Sequence, residues 1–163
     1  SFGSAAQQRP RHFYAINTDK GLSHHKVNTI FQDSRGFMWF GTEDGPNRFD
    51  GKYFTRYSND VDNKSSISGN IITDITEDEN KFLWIATSEG GLSRYDFRQK
   101  ASKQFRQSRQ DENNRYSIPE NRILSVKDDR KGHLWLSTSR GYMRANEINA
   151  QLKITSTKDG AGP

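Results

Sequence analysis

Three local patterns in this chain contain residue types that could do chemistry. His24 and His25 are adjacent, Glu43 and Asp44 form an acidic pair, and Gly90-Gly91 lies in a stretch of the kind that cradles phosphates. Two adjacent histidines in an extended segment point to opposite faces, so they do not clasp one metal ion. The chain has no cysteine in its 163 residues and no histidine spacing of ligand type, so no metal and no cofactor is expected. A glycosidase needs two carboxylates held apart across a sugar, whereas Glu43 and Asp44 are neighbours on a turn. The glycines serve positive-φ turns, because no strand-to-helix phosphate loop surrounds them. No catalytic residue is assigned.

The elements that position these residues are repeated. "DSRGFMWFGTEDGPNRFD" (33–50) returns as "DENKFLWIATSEGGLSRYD" (78–96) and "DRKGHLWLSTSRGYMRAN" (129–146). Asp33, Asp78 and Asp129 each stand six residues before Trp39, Trp84 and Trp135, and Thr42, Thr87 and Thr138 follow each Trp by three. Arg48, Arg94 and Arg144 close the units nine or ten residues past the Trp, and the Trp-to-Trp steps are 45 and 51. That period is in the range of propeller blades.

Composition is polar, with 31% hydrophobic residues and a mean hydropathy of −1.02. Disorder requires high net charge and few aromatics; here the net charge is only +5 and aromatics reach 12%. Basic residues are spread along the chain without a run, which argues against a nucleic-acid partner. No stretch approaches 18 apolar residues, so no membrane insertion by a helix is expected.

Within each unit the apolar pattern has a period near two and is broken by Gly, Asn, Asp and Ser, which predicts short strands and tight turns. The first unit reads as strands at 27–33, 37–42, 47–50 and 53–58; the second at 71–77, 82–87, 92–96 and 103–107; the third at 123–128, 133–138, 142–146 and 151–156. The fold class is therefore all-β: three four-stranded antiparallel blades, an incomplete propeller. A partial propeller over 12–156 is expected, with blades at 27–60, 71–111 and 123–156 and disordered segments at 1–11 and 157–163. The tryptophans should fill the gaps between blades and the aspartates should cap turn amides. The threonines favour strands by branching, and the arginines should pair with acids on adjacent strands. Strand one of each unit suits the channel position, packed on both faces.

With those residues in place, the unit resembles the two-component regulator propeller repeat: "QDSRGFMWFGTEDGPNRFDG" fits its Asp-turn-Gly, Trp, Gly-Thr and Arg-aromatic-Asp pattern. "GLSHHKVNTIF", "SISGNIITDI" and "SIPENRILSV" match its lead-ins. The resemblance covers about residues 12–156. It implies the extracytoplasmic or periplasmic sensor propeller of a membrane-bound hybrid histidine kinase or diguanylate cyclase, often responsive to carbohydrate. Several positions depart from the pattern: Pro46 replaces Leu, Lys81 replaces a turn Gly, Ala86 and Ser137 replace the Gly after the Trp, and the third unit ends Arg-Ala-Asn. The sensor, without catalysis of its own, is weighed against a structural self-assembling module and a propeller glycosidase or lyase. Three units suggest a fragment with no signalling output of its own.

In a blade, the loop leading into strand one and the turn between strands two and three share a face. On that face the sequence places His24, His25, Lys26, Glu43, Asp44, Asn70, Glu89, Asn121 and Arg140 as candidate ligand-binding residues. Three blades also leave two blade faces open, so a homo-oligomer is expected, such as a six-bladed pseudo-ring from two chains. "HFYAIN" (12–17) reads as a further strand.

Overall fold

The computed structural model describes residues 14–107, 117–148 and 151–159. It contains one short 3-10 turn, Thr18–Lys20, followed by twelve strands. Blade one comprises β1 (Val27–Gln32), β2 (Met38–Thr42), β3 (Gly45–Phe49) and β4 (Phe54–Arg56). Blade two comprises β5 (Ile72–Glu77), β6 (Leu83–Thr87), β7 (Leu92–Asp96) and β8 (Ala101–Phe105). Blade three comprises β9 (Ile123–Asp128), β10 (Leu134–Thr138), β11 (Gly141–Ile148) and β12 (Gln151–Asp159). Each blade is a four-stranded antiparallel meander in sequence order.

All twelve strands form where the period-two pattern predicts them, with ends that differ by three residues at most. Pro46 lies inside β3, opposite Gly41, and its carbonyl accepts Tyr57 N at 3.0 Å. Proline removes only a donor, and the ladder survives on the remaining groups. Two terminal expectations change. Residues 14–17 are not in a strand, because a strand exists only with a partner to pair with; His12 and Phe13 lie outside the described residues. β12 continues through 157–159, in place of the expected disordered tail, because its partner β11 also runs long and supplies ladder partners as far as Gly141 opposite Asp159. The expected disordered segment 1–11 lies outside the described residues, as do 160–163.

The blades stack through cores that each begin with a tryptophan. Trp39 of blade one joins Ile67, Ile72, Ile75, Leu83, Ile85 and Tyr95 of blade two. Trp84 of blade two joins Ile118, Ile123, Val126, Leu134, Leu136 and Met143 of blade three. The stacking is directional: each blade sends its Trp onto the next. Trp39 and Trp84 are accordingly 0% and 1% exposed, while Trp135, in the last described blade, is 39% exposed. The expectation that all three indoles fill gaps between blades therefore holds for two. Strand one follows the same logic. β5, between two blades, is buried along most of its length, whereas β1 alternates half-buried and exposed, because packing on both faces requires a blade on both sides.

Strand one of each blade carries a bulge at its beginning, at Asn28, Thr73 and Leu124. A bulge re-aims the extra side chain, here toward the following blade: Asn28 Nδ2 donates to Ile72 O at 2.9 Å and Thr73 Oγ1 to Ile123 O at 2.7 Å. Asp74 ties all three blades. Its carboxylate accepts Thr29 Oγ1 at 3.2 Å from blade one, and Ser125 Oγ at 2.8 Å and Val126 N at 3.1 Å from blade three.

Candidate functional site

The repeated aspartates do more than cap a turn. Asp33 Oδ1 accepts the amides of Arg35 at 3.0 Å and Phe37 at 3.1 Å. Its Oδ2 accepts Trp39 Nε1 at 3.0 Å and Arg35 Nη2 at 2.7 Å. Asp78 likewise takes Phe82 N and Trp84 Nε1, and Asp129 takes Lys131 N, His133 N and, at 3.4 Å, Trp135 Nε1. The six-residue spacing from Asp to Trp is the reach of this bond across the turn. Burial pushes the Asp33 carboxyl up, but Trp39, Arg35 and the Phe37 amide outweigh it and hold the group below its ordinary range.

The threonines also have a role beyond strand propensity. Thr42 Oγ1 donates to Gly45 O at 2.8 Å and accepts Asp44 N at 3.0 Å, closing the β2–β3 turn. Thr87 does the same with Gly91 O and Gly90 N, and Thr138 with Gly141 O and Arg140 N. The arginines sit over aromatic rings: Arg48 is 4.7 Å from Phe37, Arg94 4.1 Å from Phe82 and Arg144 5.9 Å from Trp135. For Arg48 the ring takes the place of the expected acid; a guanidinium over a ring face is attracted by the ring quadrupole.

The lead-in loops and the β2–β3 turns meet on one face, as chain direction requires. In blade one Lys26 pairs with Glu43, and Ser23 Oγ meets Thr42 Oγ1 at 3.0 Å. In blade two Glu89 Oε1 accepts Asn70 N at 2.9 Å and Ile71 N at 3.0 Å. In blade three Glu120 Oε1 accepts Ser139 N at 2.7 Å, with Arg140 Nε 3.9 Å from its other oxygen. Each blade thus has one acid bridging its two loops, from a different sequence position each time: Glu43, Glu89 and Glu120. Glu120 was not among the sequence candidates, because Gly69 and His24 occupy its place in the other units. Lys26 holds the Glu43 carboxyl below its usual range. Burial raises Glu120, but Thr138, Ser139 and Arg140 outweigh it and lower the group.

The nine candidate residues divide by role. Asn70 and Asn121 are inter-blade ties: Gly45 N donates to Asn70 O at 2.7 Å and Gly91 N to Asn121 O at 2.9 Å. Their Oδ1 atoms accept Asn59 N and Gln107 N, both at 2.7 Å. Gly91 must be glycine here, since its φ is +88° and a Cβ would lie 2.3 Å from Phe105 O. Glu43 and Glu89 brace their own loops. His25, Lys26, Asp44 and Arg140 are exposed, and the His24 and His25 rings pack at 4.3 Å. The face therefore presents two imidazoles, mixed charges and amide groups on a rigid rim. Such a surface suits non-covalent recognition.

The opposite face carries the Asp turns. There Arg35 lies 3.3 Å from the Phe97 ring centroid, beside a shallow groove lined by Ser34, Asn80, Lys81, Asp96 and Arg98. Glu77, Asp78, Glu79 and Asp128 line a second open groove on this side, together with Lys81 and Arg130. Burial, with repulsion from Asp78, Asp129 and Glu79, pushes Asp128 up. Among the described residues no three His, Cys, Asp or Glu side chains are grouped to hold a metal.

Residues 21–44, 66–89 and 117–140 each match the family described as the two component regulator propeller. The matched segments run from each lead-in loop to the β2–β3 turn. A histidine kinase of Formosa agariphila is 43% identical over 56 residues, which is 34% of this chain and 4% of the kinase. The extracellular domain of a hybrid two component system from B. thetaiotaomicron superposes with a TM-score of 0.77 at 26% identity, over 90% of this chain and 20% of that one. The virginiamycin B lyase of Staphylococcus aureus superposes at 0.61 with 14% identity, over 86% of this chain and 44% of the lyase, a likeness of fold alone. The chain thus spans about a fifth or less of the two-component relatives it matches.

Proposed function

We propose that this chain, built from three two component regulator propeller repeats, is part of the extracytoplasmic signal-recognition propeller of a two-component sensor. It binds its signal on the lead-in face and carries out no catalysis. The observation that carries this reading is the contrast between the two halves of each repeat. The Asp–Trp and Thr–turn bonds recur in all three blades, while the loops they position, His24-His25-Lys26, Gly69-Asn70-Ile71 and Glu120-Asn121-Arg122, share only the Asn70 and Asn121 tie. A constant frame with variable loops is how scaffolds carry recognition. The extracellular setting of the hybrid-system relative supports an outward-facing position.

The ligand class proposed is carbohydrate. Paired acceptors and donors such as Glu43–Lys26 and Glu120–Arg140, with amides between them, match the hydroxyl pattern of a sugar. The test is an array of defined oligosaccharides probed with the wild-type chain. Combined His25→Ala, Lys26→Ala and Arg140→Ala changes on the lead-in face should abolish any signal found, while Lys131→Ala on the opposite face should leave it intact. Loss with Lys131→Ala alone, or no glycan bound by the wild type, contradicts the reading.

A further inference from the structure

The shallow groove on the Asp-turn face lies in the seam between blades one and two and offers about 320 Å³. One wall is the β1–β2 turn of blade one; the other is the β5–β6 and β7–β8 turns of blade two. Three cations line it, Arg35, Lys81 and Arg98, and Asp96 is the one acid among its lining residues. Counted from the repeated Asp and Arg, the next seam has Asn80, Gly132 and Ile148 at the three cationic positions. The cluster is therefore not part of the repeated frame.

Each cation is anchored from behind by a carboxylate. Asp33 Oδ2 accepts Arg35 Nη2 at 2.7 Å, and the Arg35 guanidinium lies 3.3 Å from the Phe97 ring centroid, which fixes its plane. Ser34 N and Oγ, both at 3.1 Å, hold Glu77, which lies 3.9 Å from Lys81 Nζ. Asp96 Oδ1 accepts Arg98 N at 2.8 Å and Nε at 3.4 Å. The side chains of these acids are at most 11% exposed, whereas those of the cations are at least 37% exposed. The carboxylates thus sit beneath, and the groove surface shows the cationic ends. Such anchoring positions the cations before a ligand arrives.

Lys81 is placed there against backbone preference. It occupies the turn position that Gly36 and Gly132 hold in the other blades, and all three have positive φ, +90° and +83° for the glycines and +69° for Lys81. No atom lies within 4 Å of a Cβ at Gly36 or Gly132, so conformation and not space favours glycine at this turn. Lys100 and Arg130 also have positive φ, but only at Lys81 do both other blades have glycine. A left-handed conformation is unfavourable for a residue with a Cβ, and strain of this kind gathers at ligand clamps.

We infer that this groove binds a small oxyanion, a carboxylate or sulfate group. Arg35 and Arg98 supply planar guanidinium donors, which suit the oxygen pair of such a group, and the Lys81 ammonium closes the site as a point charge. The site is on the face opposite the lead-in loops and does not rest on the ligand proposed there.

The test is calorimetric titration of the full chain with sodium sulfate, glucuronate and glucose at low ionic strength, where a partly exposed site is least screened. Sulfate or glucuronate should bind and glucose should not; the tighter of the two anions shows whether the group is taken free or on a sugar. Lys81→Gly and Arg98→Ala should each weaken binding at least about tenfold. Lys131→Ala, which removes a cation of the same face outside the groove, should leave it unchanged. Lys81→Gly carries a second readout. It relieves the backbone, so Tm should rise as binding falls, whereas a lysine kept only for its pair with Glu77 would lower Tm on removal. The inference is overturned by a wild type that binds neither anion, by glucose binding as tightly as glucuronate, or by equal losses in Lys131→Ala and Arg98→Ala. Unchanged binding or a lowered Tm in Lys81→Gly overturns it too.

Discussion

Replacing Asp33 by alanine should be among the most damaging single changes in blade one, and far worse than the same change at Asp129. Asp33 accepts four hydrogen bonds, and its loss strands Trp39 Nε1 on a side chain 0% exposed and leaves the half-buried Phe37 amide of the turn without its partner. An unsatisfied buried donor costs about 1–3 kcal/mol. The Arg35 guanidinium is partly exposed and rehydrates, so its pair adds at most about 1 kcal/mol. Asp33→Ala should therefore cost about 3–5 kcal/mol, a large part of the roughly 5–15 kcal/mol typical of a domain. At Asp129 the indole partner is 39% exposed and its bond is 3.4 Å long, so water replaces the lost carboxylate and the loss should be far smaller. Urea titration followed by far-UV circular dichroism reads both; with a slope of about 2 kcal/mol per molar, the Asp33→Ala midpoint falls by about 1.5–2.5 M. Asp33→Asn should be nearly as damaging, because its amide would face the Trp39 N–H donor to donor. Because the folded pKa of Asp33 is lowered, its contribution is full above the unfolded value near 3.9. It is lost as pH falls through the lower folded value, so wild type and Asp33→Ala should converge in strong acid. Equal midpoint shifts at Asp33 and Asp129 would refute this reasoning.

Other expectations are open to direct measurement. Gly91→Ala places a Cβ 2.3 Å from Phe105 O at a φ of +88° and should cost about 3 kcal/mol or more, read as a fall in Tm. Burial, with Tyr57 beside it, pushes the Tyr95 hydroxyl up to about 12. Ultraviolet titration should show one of the six tyrosines ionising late, and Tyr95→Phe should remove that phase. A raised phenol loses stability as pH climbs past its unfolded value near 10, so the wild type should also weaken there more than Tyr95→Phe. Asp128 is raised by burial and its acidic neighbours, so its charge opposes folding above its unfolded value; Asp128→Asn should raise Tm at pH 7, with the gain disappearing toward pH 3.

Much of this fold is legible because the sequence states it three times. The Asp–Trp–Thr spacing recurs, and each spacing turned out to be a bond length in disguise: Asp33 to Trp39 across the turn, and Thr42 to Gly45 across the next one. What periodicity alone did not show was direction. Trp39, Trp84 and Trp135 look identical in sequence, and only the order of stacking makes the third differ in burial. The lead-in face was legible from chain reversal, but roles within it were not. Asn70 and Asn121 read as free loop amides, yet their carbonyls and side chains bind the preceding blade. Glu120 was missed because an acid bridging the two loops arises from a different position in each unit. Arg48 had the charge for an ion pair, but the neighbouring strand offers a phenylalanine ring at the right height.

The directional seam is the centre of this account, and single-tryptophan quenching tests it most directly. Three variants, each retaining one of Trp39, Trp84 and Trp135 with the other two changed to Phe, are titrated with acrylamide at a concentration where the chain is a single copy. The account predicts blue-shifted emission and strong shielding for Trp39 and Trp84, and red-shifted, readily quenched emission for Trp135. Three indoles equally accessible to acrylamide, or Trp135 as well shielded as Trp84 in the single copy, would contradict it.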